Sequence, residues 1–302
     1  MKRTMFVLAG LLFACGGEAP SGSAPTAPAV ESWVEGVRCE SGDCAPRWLV
    51  DARVWPHAFV VGSFVYYTED GRNADRVPVE GGWPSPGLDE VNDFTARGPW
   101  LFSTVWENGT SYLNQMDGAT QEVFPIDAAC REVEATDDAA YCLDRDALTR
   151  LPRDGGAPVA LDPVDGLNLR ASESFVCWRW QGDEARCRPT AGGATVRIGG
   201  VDVIGVIAGD ALYFLDAAGR LRRAALPSGE VTLVYDGACE LGMNGDSTHL
   251  YFGARSDGEL RVQRLELASG AIERFATARS GDVVGGDDTY LLLGDPLRIL
   301  TK

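Results

Sequence analysis

The side chains able to do chemistry in this sequence of 302 residues are carboxylates and thiols. Asp and Glu number 44 against 27 Lys and Arg, for a formal net charge of −17. Glu90, Asp165, Asp202 and Glu240 each lie shortly ahead of an apolar, strand-like run, with Glu132 and Asp282 in near-equivalent places. Acids ringed round one opening would draw in cations: a basic ligand, a peptide, or Ca²⁺ held by oxygen ligands. The plainer role for each is a solvated turn carboxylate. Only two histidines are present, His57 and His249. His-rich zinc sites and Ser-His-Asp triads both require imidazole, so neither is expected. Each His sits near the start of an apolar strand and reads as turn or edge packing.

The cysteines number 8. Cys177 and Cys187 flank Gln181-Gly182-Asp183 symmetrically, so a hairpin would set them face to face. Cys39 and Cys44 enclose a small loop containing Gly42. Cys130 and Cys142 fall on the first and second strands of one unit and can pair. Cys239 is then left as a buried free thiol. No cysteine clusters with His at ligand spacing, so no metal site is expected. No cofactor is expected either, Ca²⁺ being the one candidate.

A repeat must position these groups. An apolar-aromatic strand enters after a tight polar turn, and a later strand carries a basic residue and ends in Gly. The entering strands read Phe64-Val65-Tyr66-Tyr67, Trp100-Leu101-Phe102, Ala140-Tyr141-Cys142, Phe175-Val176-Cys177-Trp178, Leu212-Tyr213-Phe214, Leu250-Tyr251-Phe252 and Thr289-Tyr290-Leu291. They recur about every 37 residues, the length of a propeller blade; solenoid repeats of that length are usually helical. The joining turns, such as Gly62-Ser63, Asp137-Asp138 and Gly209-Asp210, use residues that tolerate positive φ or bond their own backbone. The expected fold is therefore an all-β propeller over residues 47–302, with seven four-stranded blades. Six or eight are the alternatives, because Trp83-Pro84-Ser85-Pro86 reads poorly as a strand. The last unit stops one strand short, and Trp48-Leu49-Val50-Asp51-Ala52-Arg53 has no partner. That N-terminal stretch is expected to close the ring and remove the open sheet edge. Trp83, Trp100, Trp106, Trp178 and Trp180 could form a binding platform, although inter-blade packing is the first expectation.

The run Tyr66-Tyr67-Thr68-Glu69, with Arg76 and Gly81, resembles the YWTD or NHL kind of bacterial extracytoplasmic propeller. Weaker copies are Tyr213-Phe214-Leu215-Asp216 with Arg223 and Gly229, and Tyr251-Phe252 with Arg264 and Gly270. The resemblance implies the fold, with these aromatics packed between blades, and names no ligand.

At the N-terminus, Lys2 and Arg3 precede an apolar run over residues 5–14. About ten residues are too few to span a bilayer and suit a signal-peptide core. Its end, Leu12-Phe13-Ala14-Cys15, resembles the bacterial lipobox. That resemblance implies a signal peptide over 1–14 and a lipid on Cys15. A flexible tether is expected to continue to residue 46, because 16–28 are Gly, Ser, Ala, Pro and Thr with one charge, Glu18. Acidity disfavours nucleic acid as a partner. The expected function is a non-catalytic binding or scaffold lipoprotein of the bacterial cell envelope, anchored to the outer membrane by lipid, with a protein or peptide partner. The alternative is a propeller enzyme, a lactonase, lyase or glycosidase, using mouth carboxylates and a divalent metal.

Overall fold

The computed structural model describes residues 37–302, apart from 41–43, 52–53, 55–57, 70–71, 108–109, 164–165, 241, 280–281, 288 and 295–296. The expected signal peptide, Cys15, most of the tether, His57 and Asp165 lie outside the described residues. Among the described residues, strand-forming aromatic and β-branched runs separated by Gly and Asp turns leave no stretch long enough for a helix. Every regular element among the described residues is accordingly a β-strand.

The strands assemble into six sheets. Four are meanders of four consecutive antiparallel strands, over residues 91–129, 132–163, 167–199 and 203–235. The fifth covers 243–278 in the same manner and gains Val37–Cys39 outside Ile272–Ala278, with Val37 opposite Ala278. The last has eight strands. One half is Ala58–Val61, Phe64–Thr68, Ala74–Pro78 and Ser85–Leu88; the other is Val283–Gly286, Tyr290–Leu293, Leu297–Thr301 and Ala45–Val50. The halves meet at a single parallel pair, Gly285 beside Ala58. A β-carbon on Gly285 would run into the Ala58 carbonyl, so only Gly permits this approach.

The innermost strands form a circle. Ala58–Val61, Val91–Arg97, Glu132–Ala135, Leu167–Ala171, Val203–Ala208, Met243–Gly245 and Val283–Gly286 each pack on the next, and the last packs on the first. The second strand of each unit is the most deeply buried: Ala139–Leu143 and Ala211–Leu215 are buried throughout. Sheets cover both their faces, which is why these runs are continuously apolar rather than alternating. Outer strands such as Val159–Pro163 and Val231–Tyr235 are largely exposed.

The core therefore lies between sheets. Tyr141, Leu143 and Leu148 of one sheet pack on Leu169, Val176 and Trp178 of the next. Val61 and Tyr66 likewise meet Phe94, Leu101 and Met116. Each such side chain contributes roughly 1.5–3 kcal/mol by leaving water.

Two expectations change. The N-terminal closing strand exists, but it is Ala45–Val50, with Arg47 opposite Ile299. Val37–Cys39, inside the segment expected to be tether, is a strand: it finds main-chain partners in Ile272–Ala278, and Cys39 is bridged to Cys44. The doubtful Pro-rich stretch does become a strand from Ser85 onward. Pro86 is tolerated because Ser85–Leu88 is an edge strand, paired on one side only.

Candidate functional site

The acids singled out by spacing sit where first strands begin. Glu90 immediately precedes Val91–Arg97, is exposed, and has φ 56°. Its N–H donates to Asn73 Oδ1 at 3.3 Å. Asp202 precedes Val203–Ala208 and is exposed, 3.8 Å from an Arg179 Nη. Glu240 and Asp282 precede the next two first strands and are tied together by Arg255, at 3.3 and 2.8 Å. Glu132 begins its strand, and its Oε2 accepts the Leu169 N–H at 3.0 Å. The described acids thus share a position in the repeat, and of them Glu240 and Asp282 are joined through Arg255. Among the described residues no three His, Cys, Asp or Glu side chains are placed to hold a metal ion.

The convergent groups lie deeper. Inside the circle of first strands is a cavity of about 460 Å³, to which all of those strands contribute. Its charged lining is Asp93, Glu134, Arg170 and Asp282, with Asn168 and Asn244 as amides. Asp93 Oδ2 accepts the Val133 N–H at 2.9 Å across the sheet boundary. Glu134 accepts from Thr95 Oγ1 at 3.2 Å and from Arg170 Nη1 at 3.3 Å. Arg170 also donates to the Gly205 carbonyl at 2.7 Å and the Leu169 carbonyl at 2.6 Å. Burial, reinforced by the nearby Glu132 and Glu134 charges and opposed by the Val133 N–H and Arg170, pushes the Asp93 carboxyl up to about 7. Burial also raises Glu134, with Arg170 and Thr95 pulling the other way. Perturbed acids in a cavity of ligand size make this the candidate site. Of the charged lining only Asp282 belongs to the acids picked out by spacing; Asp93, Glu134 and Arg170 lie within the first strands rather than in the loops ahead of them. The available signal was polar alternation inside the strands: Asp93 and Thr95, Glu132 and Glu134, Asn168 and Arg170.

The tryptophans do not share a platform. Trp178 is fully buried between sheets, and Trp180 is stacked under Arg186 at 3.5 Å. Trp100 and Trp106 lie towards opposite ends of one strand, while Trp83 is 93% exposed elsewhere. The motif aromatics Tyr66, Tyr67, Tyr213, Phe214, Tyr251 and Phe252 are all buried. His249 opens its strand, with Nδ1 2.8 Å from Thr248 Oγ1 in a turn capped by Asp246.

Three disulfides join the pairs read from spacing: Cys39–Cys44, Cys130–Cys142 and Cys177–Cys187. Cys177 and Cys187 are direct cross-strand partners. Cys130 differs from expectation. It lies in the connector before Glu132–Ala135 and packs with Phe102 and Leu113, so its bridge ties two sheets together. Cys239 is unbridged, and burial pushes its thiol up to about 11.

No protein-family model and no curated protein matches the sequence. Solved structures do match its shape. PorZ, an essential bacterial surface component of the type-IX secretion system of Porphyromonas gingivalis, aligns with a TM-score of 0.57 at 14% identity. The alignment covers 83% of this chain and 36% of PorZ, so the chain spans little more than a third of that protein. YCF48 bound to D1 peptide aligns with a TM-score of 0.55 at 11% identity, over 87% of this chain and 97% of that one. The computationally designed protein Ika8 gives 0.55 at 10% identity, over 84% and 98%. At these identities the likeness establishes the fold: the chain is a β-propeller-type protein.

Proposed function

We propose that this protein is an exported, lipid-anchored binding or scaffold protein of the bacterial cell envelope. In this reading it is a seven-bladed propeller whose central channel and rim receive a protein or peptide. The supporting observation is the channel: a cavity of about 460 Å³, walled by every first strand and lined with convergent charged and amide groups. The cyclic packing of those strands supports seven blades, with Ala45–Val50 as the outer strand of the last. Three disulfides fit an oxidising compartment outside the cytoplasm. Cys15 carries the lipid, in the outer membrane. YCF48, similar in fold, is bound to a peptide, which agrees with a peptide-receiving channel. The test is photo-crosslinking of the full chain in envelope membranes, with a crosslinker placed beside the channel at Ala171. A discrete partner adduct is expected; labelling of bulk protein alone would sink the reading.

A catalytic reading is favoured by one observation, the Asp93 carboxyl held near neutrality, as a general acid or base requires. It makes a separate demand: purified protein must turn over a lactone or glycoside, and Asp93→Asn must abolish that turnover.

A further inference from the structure

We infer that the central channel receives the cationic end of a peptide side chain, a primary amine or a guanidinium on an alkyl stem, with Asp93 as its counter-ion. The inference rests on the binding reading above and names the chemistry of what enters.

Asp93 is an acceptor with capacity to spare. The Val133 N–H occupies Oδ2; among the described residues no side chain donates to the carboxylate, and Arg170 acts on it only from a distance. Arg170 is the cation in the cavity wall, but it is engaged with Glu134, Leu169 and Gly205. The opposite deficit lies across the cavity. Asn244 Nδ2 is buried and without an acceptor. Round the circle, the strand of Asn244 is separated from that of Asp93 by Val283–Gly286 and Ala58–Val61, so the two groups face one space from different sides. Phe59, Val206 and Met243 add apolar wall. A lysine or arginine residue supplies what these groups lack: a cation for Asp93, an alkyl stem for the apolar wall, and a peptide carbonyl for the Asn244 amide.

A divalent metal is the competing occupant, and it fits less well. Calcium needs six or more oxygen ligands, whereas no three candidate ligands among the described residues are placed to hold a metal. The burial of Asp93 accords with a cation of either kind, so it is the scarcity of oxygen ligands that favours the organic one. The net charge of −17 and the exposed Glu90 and Asp202 at the strand starts would steer a basic partner inward.

The experiment is calorimetric titration of the full chain in detergent with Nα-acetyl-lysine methylamide, its arginine counterpart and the neutral norleucine analogue, at pH 5.5 and 8.5. Lysine and arginine keep their charge over this range, so any change reports the protein. The charged groups facing Asp93 are Glu132, Glu134, Arg170 and Asp282. Both cationic probes are expected to bind, and norleucine at least about tenfold more weakly. Cation affinity should fall about thirtyfold from pH 8.5 to pH 5.5 as Asp93 takes up its proton. Asp93→Asn should remove the preference and the pH dependence, while Glu230→Gln, exposed in the turn before the outer strand Val231–Tyr235, changes neither. The inference is overturned if neither cationic probe binds, if norleucine binds equally, if Asp93→Asn retains the pH dependence, or if Ca²⁺ alone binds. Should Asp93→Asn not fold, the norleucine and pH comparisons on the unaltered chain still decide. Partner crosslinking that survives equally in Asp93→Asn sinks this inference and spares the binding reading; loss of all crosslinking, wild type included, sinks the binding reading.

Discussion

Asp93 sits where burial, then the neighbouring Glu132 and Glu134 charges, oppose its ionisation. The unfolded chain releases this proton near the ordinary 3.8, whereas the folded chain keeps it until about 7. Between those values the folded state binds more protons, so stability falls as pH rises, by at most about 1.4 kcal/mol per unit. The contribution is fully present below the ordinary value and gone above about 7. Asp93 faces a cavity that admits solvent, which reduces the whole effect to something on the order of 1–2 kcal/mol. Urea midpoints of the wild type should therefore drop between pH 4.5 and 7.5 relative to Asp93→Asn; parallel profiles would contradict the assignment. Cys239 gives a simpler expectation at the same scale. Its thiol, pushed up to about 11 by burial, should react with iodoacetamide at pH 8 far more slowly than a free cysteine.

Among the elements, the second strands were legible because sheets bury both of their faces. Tyr141 and Cys142, or Tyr213 and Phe214, cannot alternate with polar residues there, so the sequence advertises them. Ser85–Leu88 was obscure because an edge strand can carry a proline. The channel was obscure for another reason. Asp93 is explained by the N–H of Val133, 40 residues away, and Glu134 by Arg170, 36 residues away. No local pattern records such partners. Cysteine spacing, by contrast, is local wherever two strands form a hairpin, and Cys177 and Cys187 were readable on that ground. With a separation of 10, removing that bridge by paired Cys→Ala substitutions should cost about 2.7 kcal/mol on the chain-entropy account. The Cys130–Cys142 bridge should cost more than its separation of 12 implies, since it also joins adjacent sheets. Comparing the two double variants by chemical denaturation checks that order.

Over the whole molecule, stability depends on a circle whose seam is held without a covalent bond between Ala45–Val50 and Leu297–Thr301. Lys302 fastens one side of it. Its ammonium lies 3.4 Å from Asp246 Oδ2, donates to the Asp287 carbonyl at 2.6 Å, and rests over the Tyr251 ring. The Lys302 and Asp246 side chains are only 4% and 7% exposed. Lys302→Met removes the ion pair from Asp246, whose carboxylate keeps the Thr248 and His249 N–H groups, and should cost about 1–2 kcal/mol, with Lys302→Arg recovering part of it. Thermal unfolding of the two variants measures this. Val37–Cys39 and the Cys39–Cys44 bridge fasten the other side, linking the sheet that ends at Ala278 to the closing strand. Deleting residues 37–44 should lower the melting temperature and broaden the transition.

The seam also imposes a timetable. A chain delivered N-terminus first presents Ala45–Val50 at the outset and its partner Leu297–Thr301 last. Until the final residues arrive, the early strand waits with its N–H and C=O groups open to any passing chain. Yield then depends on how long an incomplete chain persists as well as on the strength of the finished ring. Slowing delivery should increase aggregation even where the completed protein is unchanged.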